Sequence, residues 1–312
     1  MASLKAWVKA GRPRTLPLAI TCVLIGAAIS LSPSDISLDQ LPDARFYTVL
    51  GLTLLTVIYL QVLANFANDY GDFKKGTDGP ERSDRAMASG EISEKEMKRA
   101  LVVTSTKAFV VGCATVLFAL DFDLAKSAIT LFLITLGCSS IYAAIRYTMG
   151  SGAYGYKGLG DVVVLLFFGY IGVLGVAYLL SGELNLYWLL PATFSGLMSV
   201  AVLNLNNLRD HENDAKSGKN TIVVKLGFKN AKLYHAALIL VSWATMLPFL
   251  FGLNDLPVWK GGIWYVLIAL IQLKHLVFVM KTTEPERLDP ELKKIALTAF
   301  VVALFMFLTV TV

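Results

Sequence analysis

The sequence predicts an all-α integral membrane protein with nine transmembrane helices. Hydrophobic residues make up 55% of its 312 residues and charged residues 16%, whereas soluble domains carry about 25% charged residues. Apolar runs long enough to cross a hydrocarbon core of about 30 Å as a helix recur along the chain. The runs lack the alternating pattern of a transmembrane barrel, so they predict helices.

The apolar runs place nine spans along the chain. They lie at 16–31, 47–67, 100–120, 127–147, 159–180, 187–208, 233–253, 261–280 and 294–312. The first span follows a basic start, a pattern that also describes a secretory signal peptide. We expect it to be a retained helix, because eight further spans make a separate secretion signal unnecessary. Ser93 and Glu96 have the spacing of a capping box, which predicts the start of the helix that becomes the third span.

Basic residues are concentrated on one side of the predicted spans. When loops are assigned alternately to the two sides, 24 of the 28 Lys and Arg residues fall on the same side. The positive-inside rule places that side and the amino terminus in the cytoplasm, and the carboxyl terminus outside. A basic rim beside anionic lipid explains the net charge of +5 without a nucleic-acid partner.

Two acidic clusters follow even-numbered spans. The first lies in "ANFANDYGDFKKGTD" (64–78) and the second in "NLNNLRDHENDAKSGK" (204–219). Asn68 and Asp72 are four residues apart, as are Asp210 and Asp214, so each pair shares one helical face. Two such faces predict a cage for Mg²⁺, which takes few protein carboxylates and shares its remaining positions with substrate phosphates.

Basic side chains accompany both clusters and suggest the ligand. They are Lys74, Lys75, Arg82, Arg85, Arg146, Arg209, Lys216, Lys219 and Lys225. Metal ions together with Arg and Lys bind diphosphate, so the sequence predicts a substrate with a diphosphate head and an apolar tail. Ionisation of an allylic C–O bond would leave a cation that aromatic faces stabilise; the candidates are Phe66, Tyr70, Tyr142, Tyr147 and Tyr156.

Two other interpretations of the clusters stay open at this point. One is that both are solvated helix ends without a ligand, although two matched clusters argue against it. The other is a divalent-cation carrier, whose carboxylates would be expected near mid-span in broken helices. The position of both clusters at span ends favours an interfacial enzyme.

Several motifs resemble a known family. "NDYGDFKKGTD", "NNLRDHENDAKSGKNTIVVKLG" and the opening "GRPRTLP" resemble the UbiA superfamily of intramembrane prenyltransferases, and "GYKGLGD" is similar to its branch that acts on 1,4-dihydroxy-2-naphthoate. The resemblance implies a single transmembrane domain over residues 1–312, built as a two-lobed ring of nine helices around a central cavity that opens to lipid. Cytoplasmic cap loops are expected at 68–99 and 209–232.

The same resemblance implies roles for individual residues. The catalytic set is Asn68, Asp69, Asp72, Asp210 and Asp214, of which Asn68, Asp72, Asp210 and Asp214 would hold two Mg²⁺ ions that bridge the substrate diphosphate. The substrate-binding set is Asn65, Lys75, Asp78, Arg85, Tyr142, Arg146, Asn207 and Lys219. This chain has Gly76 where the family has a third acid, with Asp78 two residues later, and Arg146 where many relatives have Lys.

The implied reaction transfers a polyprenyl chain from an allylic diphosphate to 1,4-dihydroxy-2-naphthoate. The acceptor loses its carboxylate as CO₂, which gives demethylmenaquinone and diphosphate. The expected setting is the bacterial inner membrane, and no protein partner is expected. Another aromatic acceptor, such as 4-hydroxybenzoate or homogentisate, stays open as an alternative.

Overall fold

The computed structural model describes residues 2–31, 42–77, 85–251 and 262–311. Within these ranges nine helical stretches are long and apolar enough to cross a membrane, judged by length and composition. The all-helical class and the nine predicted spans are therefore confirmed.

The spans are built from eleven helices within the described ranges. In chain order they are α1 (Leu4–Gly11), α2 (Leu16–Ser30), α3 (Ala44–Lys75), α4 (Glu94–Ala119), α5 (Ser127–Arg146), α6 (Gly160–Val164), α7 (Gly175–Ser181), α8 (Leu189–Lys216), α9 (Ile222–Phe251), α10 (Gly262–Lys281) and α11 (Asp289–Thr311). A π-helical segment, Leu165–Leu174, joins α6 to α7 and makes them one membrane-length stretch. α9 is kinked at Gly227, whose φ of 75° and ψ of 157° are not helical.

The helix that carries the first acidic cluster is longer than the sequence indicated. The apolar run ends near residue 67, but α3 continues through the cluster and ends at Gly76, a left-handed residue with φ of 69°. Its 32 residues correspond to about 48 Å at 1.5 Å per residue. The polar end of α3 therefore projects beyond a hydrocarbon core of about 30 Å.

The predicted capping box at the start of α4 is confirmed. The Ser93 Oγ accepts a hydrogen bond from the Glu96 N–H at 3.3 Å, and Glu96 Oε2 accepts one from the Ser93 N–H at 3.0 Å. Both bonds satisfy backbone donors that the first turn of a helix leaves unpaired.

The helices pack around two apolar cores. The larger core contains side chains of α2, of the π-helical segment and of the four helices α8, α9, α10 and α11. The smaller core contains side chains of α1, α3 and α4. Small residues allow close helix contacts in the larger core: a Cβ on Gly26 would lie 2.6 Å from the Val173 carbonyl oxygen, and one on Gly169 would lie 2.8 Å from the Ala192 carbonyl oxygen. Such contacts are typical of membrane helix interfaces. We call the helices around the larger core and those around the smaller core the two lobes, and a cavity lies between them.

Candidate active site

A cavity of about 400 Å³ lies between the lobes and combines a polar and an apolar lining. Its charged and amide-bearing lining residues are Arg12, Arg14, Gln61, Asn65, Asn68, Asp72, Arg85, Asn206, Asp210, Asn213, Asp214 and Lys219. Its apolar lining includes Leu60, Val116, Leu133, Ile141, Phe167, Phe168, Ile171 and Leu179. The volume is that of an ordinary small-molecule site, and the lining suits a ligand with an anionic head and an apolar tail.

α3 supplies one polar wall through residues that recur every three to four positions. Asn65, Asn68 and Asp72 all line the cavity, as this spacing requires of one helical face. The Asn65 amide donates hydrogen bonds to the Gly11 carbonyl oxygen at 2.9 Å and to the Thr15 Oγ1 at 3.0 Å. Asn65 therefore ties the segment between α1 and α2 to α3 and thereby helps to place Arg12 and Arg14 at the cavity.

A buried ammonium group lies between the two acidic clusters. Lys219 Nζ is 3.8 Å from Asp72 Oδ2 and 3.6 Å from Asp214 Oδ1, and all three side chains are buried. Burial lowers the pKa of Lys219, but the attraction of Asp72 and Asp214 outweighs it, so the net pKa is raised. Lys219 therefore stays positively charged and joins α3 to the loop after α8.

Asp210 is held by an arginine on its own helix. Arg209 donates hydrogen bonds to both carboxylate oxygens of Asp210, each at 2.8 Å. The same guanidinium contacts Asp289 at the start of α11, and Arg14 Nη1 lies 3.1 Å from Asp289 Oδ1. One ion-pair network beside the cavity thus joins α8 and α11 to the segment between α1 and α2.

The donor set fits a cation that shares its coordination sphere with a phosphate. Asp214 Oδ2 is buried and has no hydrogen-bond partner among the described residues, and such an oxygen is stabilised by a cation. Within the described ranges no group of three His, Cys, Asp or Glu side chains is placed to hold one metal ion. Mg²⁺ commonly takes one or two carboxylates and substrate phosphate oxygens, so the carboxylates present fit that mode of binding.

Seven of the residues predicted for the site line the cavity together: Asn65, Asn68, Asp72, Arg85, Asp210, Asp214 and Lys219. Asp69 and Asn207 are buried but do not line it. Each of these two residues directly follows a lining residue, and one position along a helix turns the side chain by about 100°. Asp69 instead contacts Arg12, with 3.5 Å between its Oδ1 and the Arg12 Nη2. Asp78 lies outside the described residues.

Three other predicted substrate contacts also lie outside the cavity lining. Tyr142 is 65% exposed, and the Arg146 guanidinium lies 6.0 Å from its ring. Lys75 is exposed and stacks on the Tyr156 ring, with Nζ 3.5 Å from the ring centroid. The cavity face of α5 carries other residues, including Gly137 and Ile141, so Tyr142 and Arg146 point elsewhere.

The structure adds residues that the sequence pattern did not assign to the site. Asn206 and Asn213 line the cavity, and their spacing of four and three residues from Asp210 is the signal that identifies them. Arg12 and Arg14 line it as well, in the "GRPRTLP" stretch, whose residues carried no predicted role. Tyr154 also lines it, and its ring packs edge-on against Tyr147 with centroids 5.4 Å apart.

The fold and the cavity define a class of protein: a helical membrane protein whose cavity has a charged and an apolar lining. The model of the UbiA prenyltransferase family matches residues 19–300. The chain is 42% identical over 293 residues to the 1,4-dihydroxy-2-naphthoate octaprenyltransferase of Escherichia coli strain K12, covering 93% of this chain and 90% of that protein. It is 39% identical over 302 residues to the protein of the same name from Haemophilus influenzae, covering 96% and 93%.

Solved structures of the same family share the fold. A UbiA homolog from Archaeoglobus fulgidus superposes with a TM-score of 0.63 at 13% identity, covering 98% of this chain and 100% of that chain. The structure of an A. fulgidus UbiA homolog bound to GPP and Mg²⁺ superposes with a TM-score of 0.62 at 13% identity, covering 98% and 100%. The chain belongs to the UbiA prenyltransferase family and is a prenyltransferase.

Proposed function

We propose that this protein transfers a polyprenyl chain from an allylic diphosphate to 1,4-dihydroxy-2-naphthoate in the membrane. The acceptor loses CO₂ in the net reaction, and the products are demethylmenaquinone and diphosphate. The observation that carries the proposal is one cavity that joins two acidic clusters and buried Lys219 to an apolar chamber. The sequence identity of 42% and 39% to two 1,4-dihydroxy-2-naphthoate octaprenyltransferases extends over nearly the whole chain and supports the choice of acceptor.

The polar end of the cavity would bind the diphosphate. We propose that Asn68, Asp72, Asp210 and Asp214 hold two Mg²⁺ ions, which would neutralise charge that develops on the leaving diphosphate. Lys219 and the lining arginines add fixed positive charge at the same place. Groups that are already oriented before the reaction stabilise developing charge without reorganisation, and this electrostatic effect usually accounts for most of the rate enhancement of such enzymes.

The apolar part of the cavity would hold the prenyl chain and exclude water from the allylic cation. The Tyr147 and Tyr154 rings line this cavity, and their π faces can stabilise a cation. Tyr147 and Tyr154 are therefore the aromatic residues that we assign to the cation, in place of Phe66, Tyr70, Tyr142 and Tyr156, which do not line the cavity.

We propose that the polar ends of α3 and α8 face the cytoplasm of a bacterial inner membrane, with the carboxyl terminus outside. The basic residues near these ends support this orientation through the positive-inside rule. The carrier alternative requires carboxylates near mid-span. Asp72 lies three residues before the end of α3, and Asp214 two before the end of α8, which favours the enzyme.

The acceptor and the reaction can be tested together on purified protein in detergent. The assay combines Mg²⁺, octaprenyl diphosphate and 1,4-dihydroxy-2-naphthoate labelled in its carboxylate, and follows prenylated product, diphosphate and labelled CO₂. We expect all three products together, and none after EDTA is added. Prenylation of 4-hydroxybenzoate or homogentisate instead would overturn the acceptor, and ion flux in sealed vesicles without product would overturn the enzyme.

The apolar half of the cavity gives a second testable expectation. Gly137 lines the cavity, and a Cβ at this position would meet nothing within 4 Å. Gly137→Leu is therefore expected to fill tail space without straining the protein, and to lower kcat/KM for octaprenyl diphosphate by about tenfold. Geranyl diphosphate should be much less affected, because its tail is shorter.

Gly51→Leu is the matched control for this substitution. Gly51 also has open space around its Cβ position but lies outside the cavity lining, on α3. We expect it to leave the chain-length preference unchanged. Equal losses for both diphosphates in Gly137→Leu would contradict the assignment of this region to the tail.

A further inference from the structure

Tyr156 lies where the two lobes meet, in the loop between α5 and α6. Its carbonyl oxygen accepts a hydrogen bond from the Asn220 N–H at 3.0 Å, which ties the loop to the segment that follows α8. Gly158 allows this approach: its φ is 78°, and a Cβ there would lie 2.8 Å from the Asn220 carbonyl oxygen. The backbone of the loop is therefore fixed against the second acidic segment.

The Tyr156 side chain reaches in the other direction, to the first acidic cluster. Its hydroxyl is 2.8 Å from Asp72 Oδ1 and 2.6 Å from the Thr77 Oγ1. An ionised carboxylate only accepts hydrogen bonds, so the tyrosine must donate to Asp72 and accept from Thr77.

The Tyr156 ring also contacts two positively charged side chains. Lys75 Nζ lies 3.5 Å from the ring centroid and Lys219 Nζ lies 5.5 Å from it. Both distances are within the range of cation–π attraction. One tyrosine therefore contacts the carboxylate of the first cluster and two lysines, and its backbone is bonded to the loop after the second cluster.

We infer that Tyr156 is a positioning residue that fixes Asp72 and Lys219 in the geometry needed to bind metal and diphosphate. Tyr156 does not line the cavity, so it acts through the groups that it holds. The inference rests on the proposed function, because it assigns a role to the same site. Residues that orient metal ligands typically change metal affinity or activity by about 10- to 100-fold when they are replaced.

The test is Tyr156→Phe, which removes the hydroxyl and keeps the ring. Mg²⁺ binding is measured by calorimetry without substrate, and KM for Mg²⁺ and kcat are measured with the full reaction. We expect the Kd for Mg²⁺ to rise by about tenfold, with a rise in KM for Mg²⁺ and little change in Tm. Thr77→Val, which removes only the hydroxyl that donates to Tyr156, should shift the same constants less.

Tyr234→Phe is the matched control. The Tyr234 hydroxyl donates to Asp161 Oδ2 at 2.9 Å, and neither residue lines the cavity. This control should keep the wild-type affinity for Mg²⁺. The inference would be overturned if Tyr156→Phe kept the wild-type affinity for Mg²⁺, or if Tyr234→Phe lost as much affinity as Tyr156→Phe. If the wild-type protein did not bind Mg²⁺, the metal site itself would be overturned.

Discussion

Asp72→Asn is expected to lower kcat by at least about 100-fold while the protein still folds in the membrane. The amide keeps the size of the side chain and can still accept the hydrogen bond from Tyr156. It removes the charge that pairs with Lys219 at 3.8 Å and that we propose binds Mg²⁺. The measurement is turnover with saturating diphosphate and acceptor, repeated over a Mg²⁺ titration.

Asp43→Asn is a control with the same chemical change on the same helix. Asp43 caps the opposite end of α3, where its Oδ1 accepts a hydrogen bond from the Phe46 N–H at 2.7 Å. Asn is about as good an N-cap as Asp, so both stability and turnover should stay near wild type. Near-normal turnover of Asp72→Asn would contradict the proposed two-cluster site.

Much of the architecture was predictable because hydrophobic length and local capping determine it. Each apolar run became part of a membrane-length helical stretch, and Ser93 with Glu96 marked the start of α4. The length of α3 was not predictable from hydropathy, because its last eight residues, 68–75, include four charged residues and an asparagine. They stay helical as far as Gly76, whose left-handed backbone ends the helix.

The polar faces of the site were partly predictable from helical spacing. Residues three, four or seven positions from Asp72 or Asp210 share its helical face. This spacing predicts that Asn65, Asn68 and Asp214 line the cavity, as they do. The orientation of α5 was not predictable, because this helix is apolar around most of its circumference and no periodicity marks its inner face. Its terminal Tyr142 therefore points away from the cavity, although the motif resemblance predicts that it binds substrate.

Contacts between the lobes could not be derived from any local pattern. Lys219 reaches Asp72 because Gly218, with φ of 71°, turns the chain back after α8. Tyr156 reaches the same carboxylate from a loop more than 80 residues away along the sequence. Such contacts depend on how the two lobes are placed, which neither propensity nor motif spacing specifies.

Lys219→Met is expected to lower the free energy of unfolding by about 3 kcal/mol when no divalent ion is present. The substitution keeps an unbranched side chain but removes the charge between Asp72 and Asp214, so two buried carboxylates face each other without their cation. Added Mg²⁺ should restore much of the lost stability, because it replaces the missing positive charge. Turnover should remain low, since the diphosphate still lacks the ammonium group.

Lys216→Met separates this effect from a general loss of positive charge. Lys216 is the exposed last residue of α8, three positions before Lys219, and it lies outside the cavity lining. Its replacement should change neither the unfolding transition nor the response to Mg²⁺.

The measurement is thermal unfolding of both variants with EDTA and then with a Mg²⁺ series. A Lys219→Met protein as stable in EDTA as the wild type would show that its ion pairs contribute no net stability, and would remove Lys219 from the charge balance of the site.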